Sequence, residues 1–310
     1  MSAEHPNQPS AMAPLKVDPT RASTLLQNIS SIHTRISSTC KTHSISKPPR
    51  LVAVSKLKPA TDILALHQPP SDDETLALLS AAHVSSPSSQ LHFGENYVQE
   101  LLEKSKLLPK SIRWHFIGGL QSNKCAQLAK SVHSLWAVES VDSVKKAQLL
   151  DKGRGQRNEE LKNAQNGEAA EDTEELLRIF VQVNTSGEES KSGVEPKSED
   201  LSNLCRTIRD ECSNLQLQGL MTIGAIARSK ATTPETENED FINLRENRDW
   251  IAKELGMNKE ELELSMGMSD DFEGAIRQSS DEVRVGSTIF GERPPKSEAK
   301  VLENTEEGKQ

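Results

Sequence analysis

From Thr20 onward, Leu25, Leu26, Ile29, Ile32 and Ile36 recur at helical spacing, which predicts a helix running to about Lys41. Beyond it the pattern changes to short apolar runs separated by helix-favouring stretches. The runs are LVAV (51–54), LHF (91–93), RWHFIG (113–118), SLWAVE (134–139), RIFVQV (178–183), LQGLMTIG (217–224), LELSMGM (262–268) and VRVGSTIFG (283–291). Helix-favouring segments fill the gaps, such as 123–131 after the third run and 241–255 after the sixth. Strand–helix alternation of this kind predicts a parallel α/β architecture. Eight units with nothing left over favour a single closed (β/α)8 barrel of the TIM type over an open doubly wound sheet. No G-x-G-x-x-G follows the first run, which weakens a dinucleotide-binding alternative.

Polar stretches interrupt this pattern. Residues 1–18 are Pro-rich and polar and are expected to form a disordered tail, as is the charged segment 294–310. The stretches near 69–90, 152–176 and 229–239 read as insertions forming mobile surface loops, so one domain is expected over 19–293. Hydrophobic residues make up 34% of the 310 and aromatics 3%, as expected for a compact core diluted by polar segments.

The net charge of −9 argues against a nucleic-acid surface, which needs clustered Lys and Arg, but leaves room for a local basic pocket holding a small anion. Cys40, Cys125, Cys205 and Cys212 contain no C-x-x-C spacing, so reduced thiols are expected rather than a zinc site or a disulfide framework. There is no apolar run of the roughly 18 residues that a membrane span needs. The N-terminal sequence resembles neither a signal nor a transit peptide, and a cytoplasmic location is the expectation, with a mitochondrial pool left open.

Candidate chemistry begins at Lys56, in VAVSKLKP. Side chains alternate along a strand, so Lys56 shares a face with Val52 and Val54 and lies at the C-terminal end of a barrel strand, where such barrels build their sites. Partial burial would disfavour its ammonium form, and a neutral amine can attack an aldehyde to form a Schiff base. A solvated lysine at a strand end, like Lys58, is the plain alternative, and this segment alone does not separate the two.

In VRVGS, Arg284 and Gly286 share one face and the two valines the other. The valines suit outer helices, and Arg284 would point into the barrel mouth, toward a ligand or a structural salt bridge. Ser269 is placed to cap the helix after the seventh strand, or to help hold a phosphate there. Barrels often place phosphate at the loops after strands seven and eight, which carry Ser269 and Gly286–Ser287. A lysine, an arginine and these hydroxyl and amide groups together suit an aldehyde bearing a phosphate.

Other candidates are weaker. There is no H-E-x-x-H pair, so no metal site is expected. His115 reads as a packed or hydrogen-bonded core residue on a strand rather than a site residue. Glu95 reads as an orienting group or a helix-start carboxylate, and Lys124 as an anion contact or a solvated side chain.

The chain resembles the pyridoxal phosphate homeostasis protein family. The matching segments are LVAVSKLKP (51–59), HFGENYVQEL (92–101), WHFIGGLQSNK (114–124), VQVNTSGEESKSGV (181–194), GLMTIG (219–224), LSMGMSDDFEGAI (264–276) and VRVGSTIFGER (283–293). The resemblance implies a barrel like the N-terminal domain of alanine racemase, carrying pyridoxal 5′-phosphate on a lysine. It implies Lys56 as the Schiff-base residue, Asn96 beside the cofactor ring, and Ser269, Gly286 and Ser287 on the phosphate. Arg284 would face the pyridine nitrogen, and Met221 and Ser265 would line the pocket. The stretch at 69–90, the acidic stretch before the fifth strand and Gly119 depart from the family pattern.

Racemases of this fold take a second acid/base group, a tyrosine, from an extra C-terminal domain. Only 19 residues follow Gly291 here, and the one tyrosine, Tyr97, is expected on the helix after strand two. The expectation is therefore a monomeric, non-catalytic carrier that buffers the cofactor or delivers it to pyridoxal-phosphate-dependent apoenzymes. A pyridoxal-phosphate-dependent racemase or lyase is the alternative.

Overall fold

In the computed structural model, the described residues are 15–84, 88–164, 176–188, 191–225 and 237–302. Eight parallel strands form a closed barrel in sequence order: β1 Arg50–Val54, β2 His92–Glu95, β3 Arg113–Phe116, β4 Leu135–Val141, β5 Leu177–Gln182, β6 Leu215–Met221, β7 Glu263–Ser265 and β8 Glu282–Val285. Each falls on one of the apolar runs. β1 and β8 close the ring with Val52 opposite Arg284 and Ala53 opposite Val285.

The helices are α1 Pro19–Thr42, α2 Ala60–His67, α3 Asp73–Ala81, α4 Val98–Leu107, α5 Ser122–Ser131, α6 Val144–Ala164, α7 Glu199–Asp210, α8 Glu239–Leu255, α9 Phe272–Arg277 and the single turn α10 Ser287–Phe290. α1 starts where Asp18 accepts from the Arg21 amide at 2.7 Å, with Pro19 in the first turn, where its missing N–H costs nothing. Its apolar stripe, Leu25 to Ile36, is buried, and it packs on α2, α3, α9 and α10, across the line where the barrel closes. Two ion pairs fasten it there, Arg21–Asp62 at 2.6 Å and Arg35–Glu273 at 2.8 Å.

The alternation within each strand sorts the core into two layers. Leu51, Ala53, Phe93, Val283 and Val285 belong to the large layer between strands and helices, while Ala137, Phe180 and Met221 form a small apolar cluster of their own beside Trp136. All four cysteines are free and buried; burial pushes the Cys125 and Cys212 thiols up to about 11 and Cys205 to about 12. No helix among the described residues is long and apolar enough to cross a membrane.

The stretches expected to be loose are more ordered than their composition suggests. Within 69–90, Asp72 caps α3 by accepting from the Thr75 amide at 2.8 Å, and Leu79 is buried as α3 packs on α1. Over 152–176, α6 continues to Ala164 despite its polar sequence. Its Gly153 permits a close approach to α5, since a Cβ there would stand 2.4 Å from the Ala126 carbonyl oxygen. Residues 165–175 lie outside the described part, as do 229–236; Asn238 caps α8.

Parts of both expected tails belong to the described fold, 15–18 at one end and 294–302 at the other. Leu15 and Val17 pack on the core. At the other end, Val301 accepts from the Ala60 amide at 2.9 Å, and Lys296 Nζ lies 4.3 Å above the Tyr97 ring. Residues 1–14 and 303–310 lie outside the described part.

Candidate functional site

β1 ends at Val54, and a turn over 55–58 carries Lys56 to the C-terminal mouth of the barrel. Leu57 in this turn has φ +62°, a left-handed conformation that costs a non-glycine residue energy. The Lys56 ammonium makes no hydrogen bond or ion pair with the described residues. Burial lowers its affinity for a proton, and Arg293 acts in the same direction; Glu95 and Glu100 oppose them. Lys58, two residues on, is committed: its Nζ donates to the Glu292 carbonyl oxygen at 2.5 Å.

Asn96 follows β2. Its Oδ1 is buried and lacks a partner among the described residues. Its backbone is pressed against Gly118, where a Cβ would stand 2.2 Å from the Asn96 carbonyl oxygen. Only glycine fits there, so Gly118 fixes the course of the chain past Asn96.

The structure brings Ser269 and Gly286 together: the Gly286 amide donates to Ser269 Oγ at 3.3 Å. Ser269 does not cap the helix, however. α9 starts only after Asp271, whose Oδ1 accepts from the Met268 amide at 2.7 Å, leaving the Ser269 hydroxyl facing the β8 loop. Ser287 is exposed in the first turn after Gly286. Arg293 completes this corner. Its Nη2 lies 3.3 Å from where a Cβ on Gly286 would sit, with Val54 as close on another side. Sequence reasoning did not single out Arg293, although it closes the VRVGSTIFGER segment as a second arginine.

Arg284 points inward and is buried. It donates to the Thr222 carbonyl oxygen at 2.7 Å and to Ser265 Oγ at 2.5 Å, and lies 3.8 Å from Glu139 Oε2. Ser265 Oγ is in turn 2.7 Å from Glu139 Oε2 and 3.0 Å from Glu282 Oε1. Beyond it, Arg50 bridges Glu282 at 2.8 Å and Glu263 at 2.9 Å, and His115 Nδ1 lies 2.7 Å from Glu139 Oε1. His115 is thus a buried, hydrogen-bonded core residue at the edge of this network. His115, Glu139 and Glu282 come close enough to hold a metal ion, but arginines, Ser265 and each other already engage their atoms. Met221 is buried beside Ala137 and Phe180.

This network makes a testable demand on stability. Burial, with Glu139 adding to it, pushes the Glu282 carboxyl up to about 7, so the folded chain holds a proton that the unfolded chain releases above its ordinary 4.5. Its stabilising contribution is full below 4.5 and is lost as pH rises to about 7. Burial pushes His115 down to about 4, so its contribution is full above 6.5 and is lost as pH falls to about 4. The two slopes oppose each other between 4.5 and 6.5. Glu282→Gln removes only the first. Relative to wild type, the variant should lose about 1.4 kcal/mol per pH unit on acidification through that window. Urea unfolding of both proteins at several pH values checks this; parallel profiles would refute it.

Comparisons with known proteins bear on the family and the fold. Residues 75–294 match the alanine racemase N-terminal domain family; the match starts beyond β1, so it does not include Lys56. A Schizosaccharomyces pombe relative named pyridoxal phosphate homeostasis protein is 39% identical, over 81% of this chain and 87% of its own length. A Caenorhabditis elegans relative of the same name is 42% identical, over 80% and 87%. The structure of PipY from Synechococcus elongatus with PLP bound is 28% identical at a TM-score of 0.53, covering 83% of this chain and all of that one. The chain belongs to the alanine racemase N-terminal domain family, and within it to the pyridoxal phosphate homeostasis proteins.

Proposed function

We propose that this protein binds pyridoxal 5′-phosphate at the barrel mouth and buffers or delivers it, as a carrier rather than an enzyme. The observation that carries the reading is Lys56: an amine with no partner among the described residues and a lowered proton affinity, at the C-terminal end of β1. The surroundings fit the group. Asn96 offers a buried, unpartnered Oδ1, and Ser269, Gly286, Ser287 and Arg293 form a corner of hydroxyl, amide and guanidinium donors suited to a phosphate.

When bound, the cofactor supplies an aldehyde carbon open to amines and a ring that can withdraw electrons. The protein's own residues set the rest. Lys56, whose proton affinity burial and Arg293 lower, is the nucleophile. Ser269, Gly286 and Ser287 orient the phosphate, and Arg293 adds positive charge beside it. Met221 and Ser265 belong to the pocket lining. Arg284 is assigned to the ring nitrogen. A guanidinium only donates hydrogen bonds, so it favours an unprotonated nitrogen and a weaker electron sink.

Tyr97 stands at the N-cap of α4 with Lys296 Nζ 4.3 Å above its ring. The recipients a carrier implies are pyridoxal-phosphate-dependent apoenzymes, supplied by a cytoplasmic monomer.

The test is chemical. Purified protein incubated with pyridoxal phosphate and reduced with borohydride should carry the adduct on Lys56 by peptide mass spectrometry. An adduct confined to other lysines overturns the assignment. Turnover of any amino acid at about 1 per second or faster, followed by chiral analysis, would favour the racemase or lyase reading instead.

A further inference from the structure

Lys104 is a fully buried lysine that the function above leaves unused. An ammonium has three protons to donate, and all three are spent on one small cluster. They go to the Ser55 carbonyl oxygen at 2.9 Å, to Glu95 Oε1 at 2.7 Å and to Glu100 Oε1 at 2.7 Å. The same two carboxylate oxygens hold the turn that presents Lys56. Glu95 Oε1 accepts from Ser55 Oγ at 2.6 Å, and Glu100 Oε1 accepts from the Leu57 amide at 2.7 Å. The residues on both sides of Lys56 are therefore tied, through two carboxylates, to one buried cation.

Leu57 makes this tie consequential. Its left-handed backbone, φ +62°, persists only if the surroundings hold it there, because the sterically relaxed alternatives are lower in energy. Its amide is held by Glu100, and Glu100 is held by Lys104. We propose that Lys104 is a positioning residue for Lys56: its ammonium locks Glu95, Glu100 and Ser55 into a clamp that holds the left-handed turn and aims the reactive amine into the mouth.

The clamp has a second effect on the same amine. The charges that bear on Lys56 are Arg293 from the segment after α10, Glu95 from the end of β2 and Glu100 from α4. Lys104 engages Oε1 of both carboxylates, which turns part of their charge away from Lys56 while they still favour its ammonium form against burial and Arg293. Glu100 and Lys104 sit one helical turn apart on α4, and Glu95 ends the neighbouring strand. The arrangement joins β1, β2 and α4 at one point.

This role rests on Lys56 being the cofactor-binding amine, and the experiment separates the two claims. Full-length Lys104→Met is compared with wild type in two measurements: amide hydrogen exchange at Leu57 without cofactor, and the rate of borohydride-fixed pyridoxal phosphate appearing on Lys56. Loss of a charge-assisted hydrogen bond should speed Leu57 exchange and slow Lys56 fixation by about tenfold or more.

Adding Leu57→Gly should restore fixation, because glycine adopts the left-handed turn without being held. General loss of stability would not be rescued that way. Wild-type fixation in folded Lys104→Met, or failure of Leu57→Gly to restore it, overturns the role. If Lys104→Met does not fold, Glu95→Leu/Lys104→Met removes the buried pair together. Slow fixation in that folded variant supports the clamp, and a wild-type rate overturns it. A wild-type protein that fixes nothing at Lys56 would overturn the site and this role with it, while Leu57 exchange would still report whether the clamp exists.

Discussion

Replacing Lys56 with alanine should abolish covalent retention of pyridoxal phosphate while leaving the fold as stable as wild type. Truncating a half-buried side chain with no partner among the described residues should change stability by no more than about 0.5 kcal/mol. The nearest substitute, Lys58, is buried and already donates to the Glu292 carbonyl oxygen, so it is not free to take over. The phosphate corner remains intact in the variant. Some reversible binding should therefore persist and wash out on gel filtration, whereas wild type stays yellow. The check is the visible spectrum and intact mass after borohydride, with thermal unfolding alongside and Lys58→Ala as a control that keeps the adduct. A borohydride-stable adduct on the Lys56→Ala protein would sink the assignment.

The second large effect concerns the barrel interior. Arg284→Met should cost roughly 3–5 kcal/mol, because it breaks one side of a buried, hydrogen-bonded charge network. Ser265 and the Thr222 carbonyl oxygen lose their shared donor, and Glu139, 3.8 Å away, loses a neighbouring cation. For a barrel of this size that lowers Tm by on the order of 10 °C. Arg284→Met/Glu139→Gln removes a charge from each side and should recover part of the loss. Calorimetry of both variants at neutral pH decides it. A Tm near wild type in the single variant would mean that Arg284 is not a member of the network.

The strands were legible because each apolar run is short, bounded and separated by helical spacing. Register then follows from alternation alone, which is how Arg284 was expected to face inward while Val283 and Val285 face the helices. The helices hidden in 69–90 and 152–176 were not legible. α3 and α6 owe their place to packing on α1 and α5, and Gly153 of α6 serves that close helix contact despite the polar composition around it.

The site shows the same division. Lys56 could be named as a candidate from its place at a strand end, but Lys104 acquires its meaning only when α4 folds back under the turn. Glu139 and Ser265 meet across 126 positions of chain. No local pattern encodes such a pairing. The Glu100–Lys104 spacing was the only hint within reach.

The buried thiols have a consequence for a protein that carries an electrophile. Thiolates scavenge aldehydes and consume them in side reactions. With the Cys125 and Cys212 thiols at about 11 and Cys205 at about 12, roughly one in ten thousand or fewer of them is ionised near neutrality. None of the four is exposed to compete with an amine at the mouth. The scaffold is chemically quiet toward an aldehyde held at its mouth.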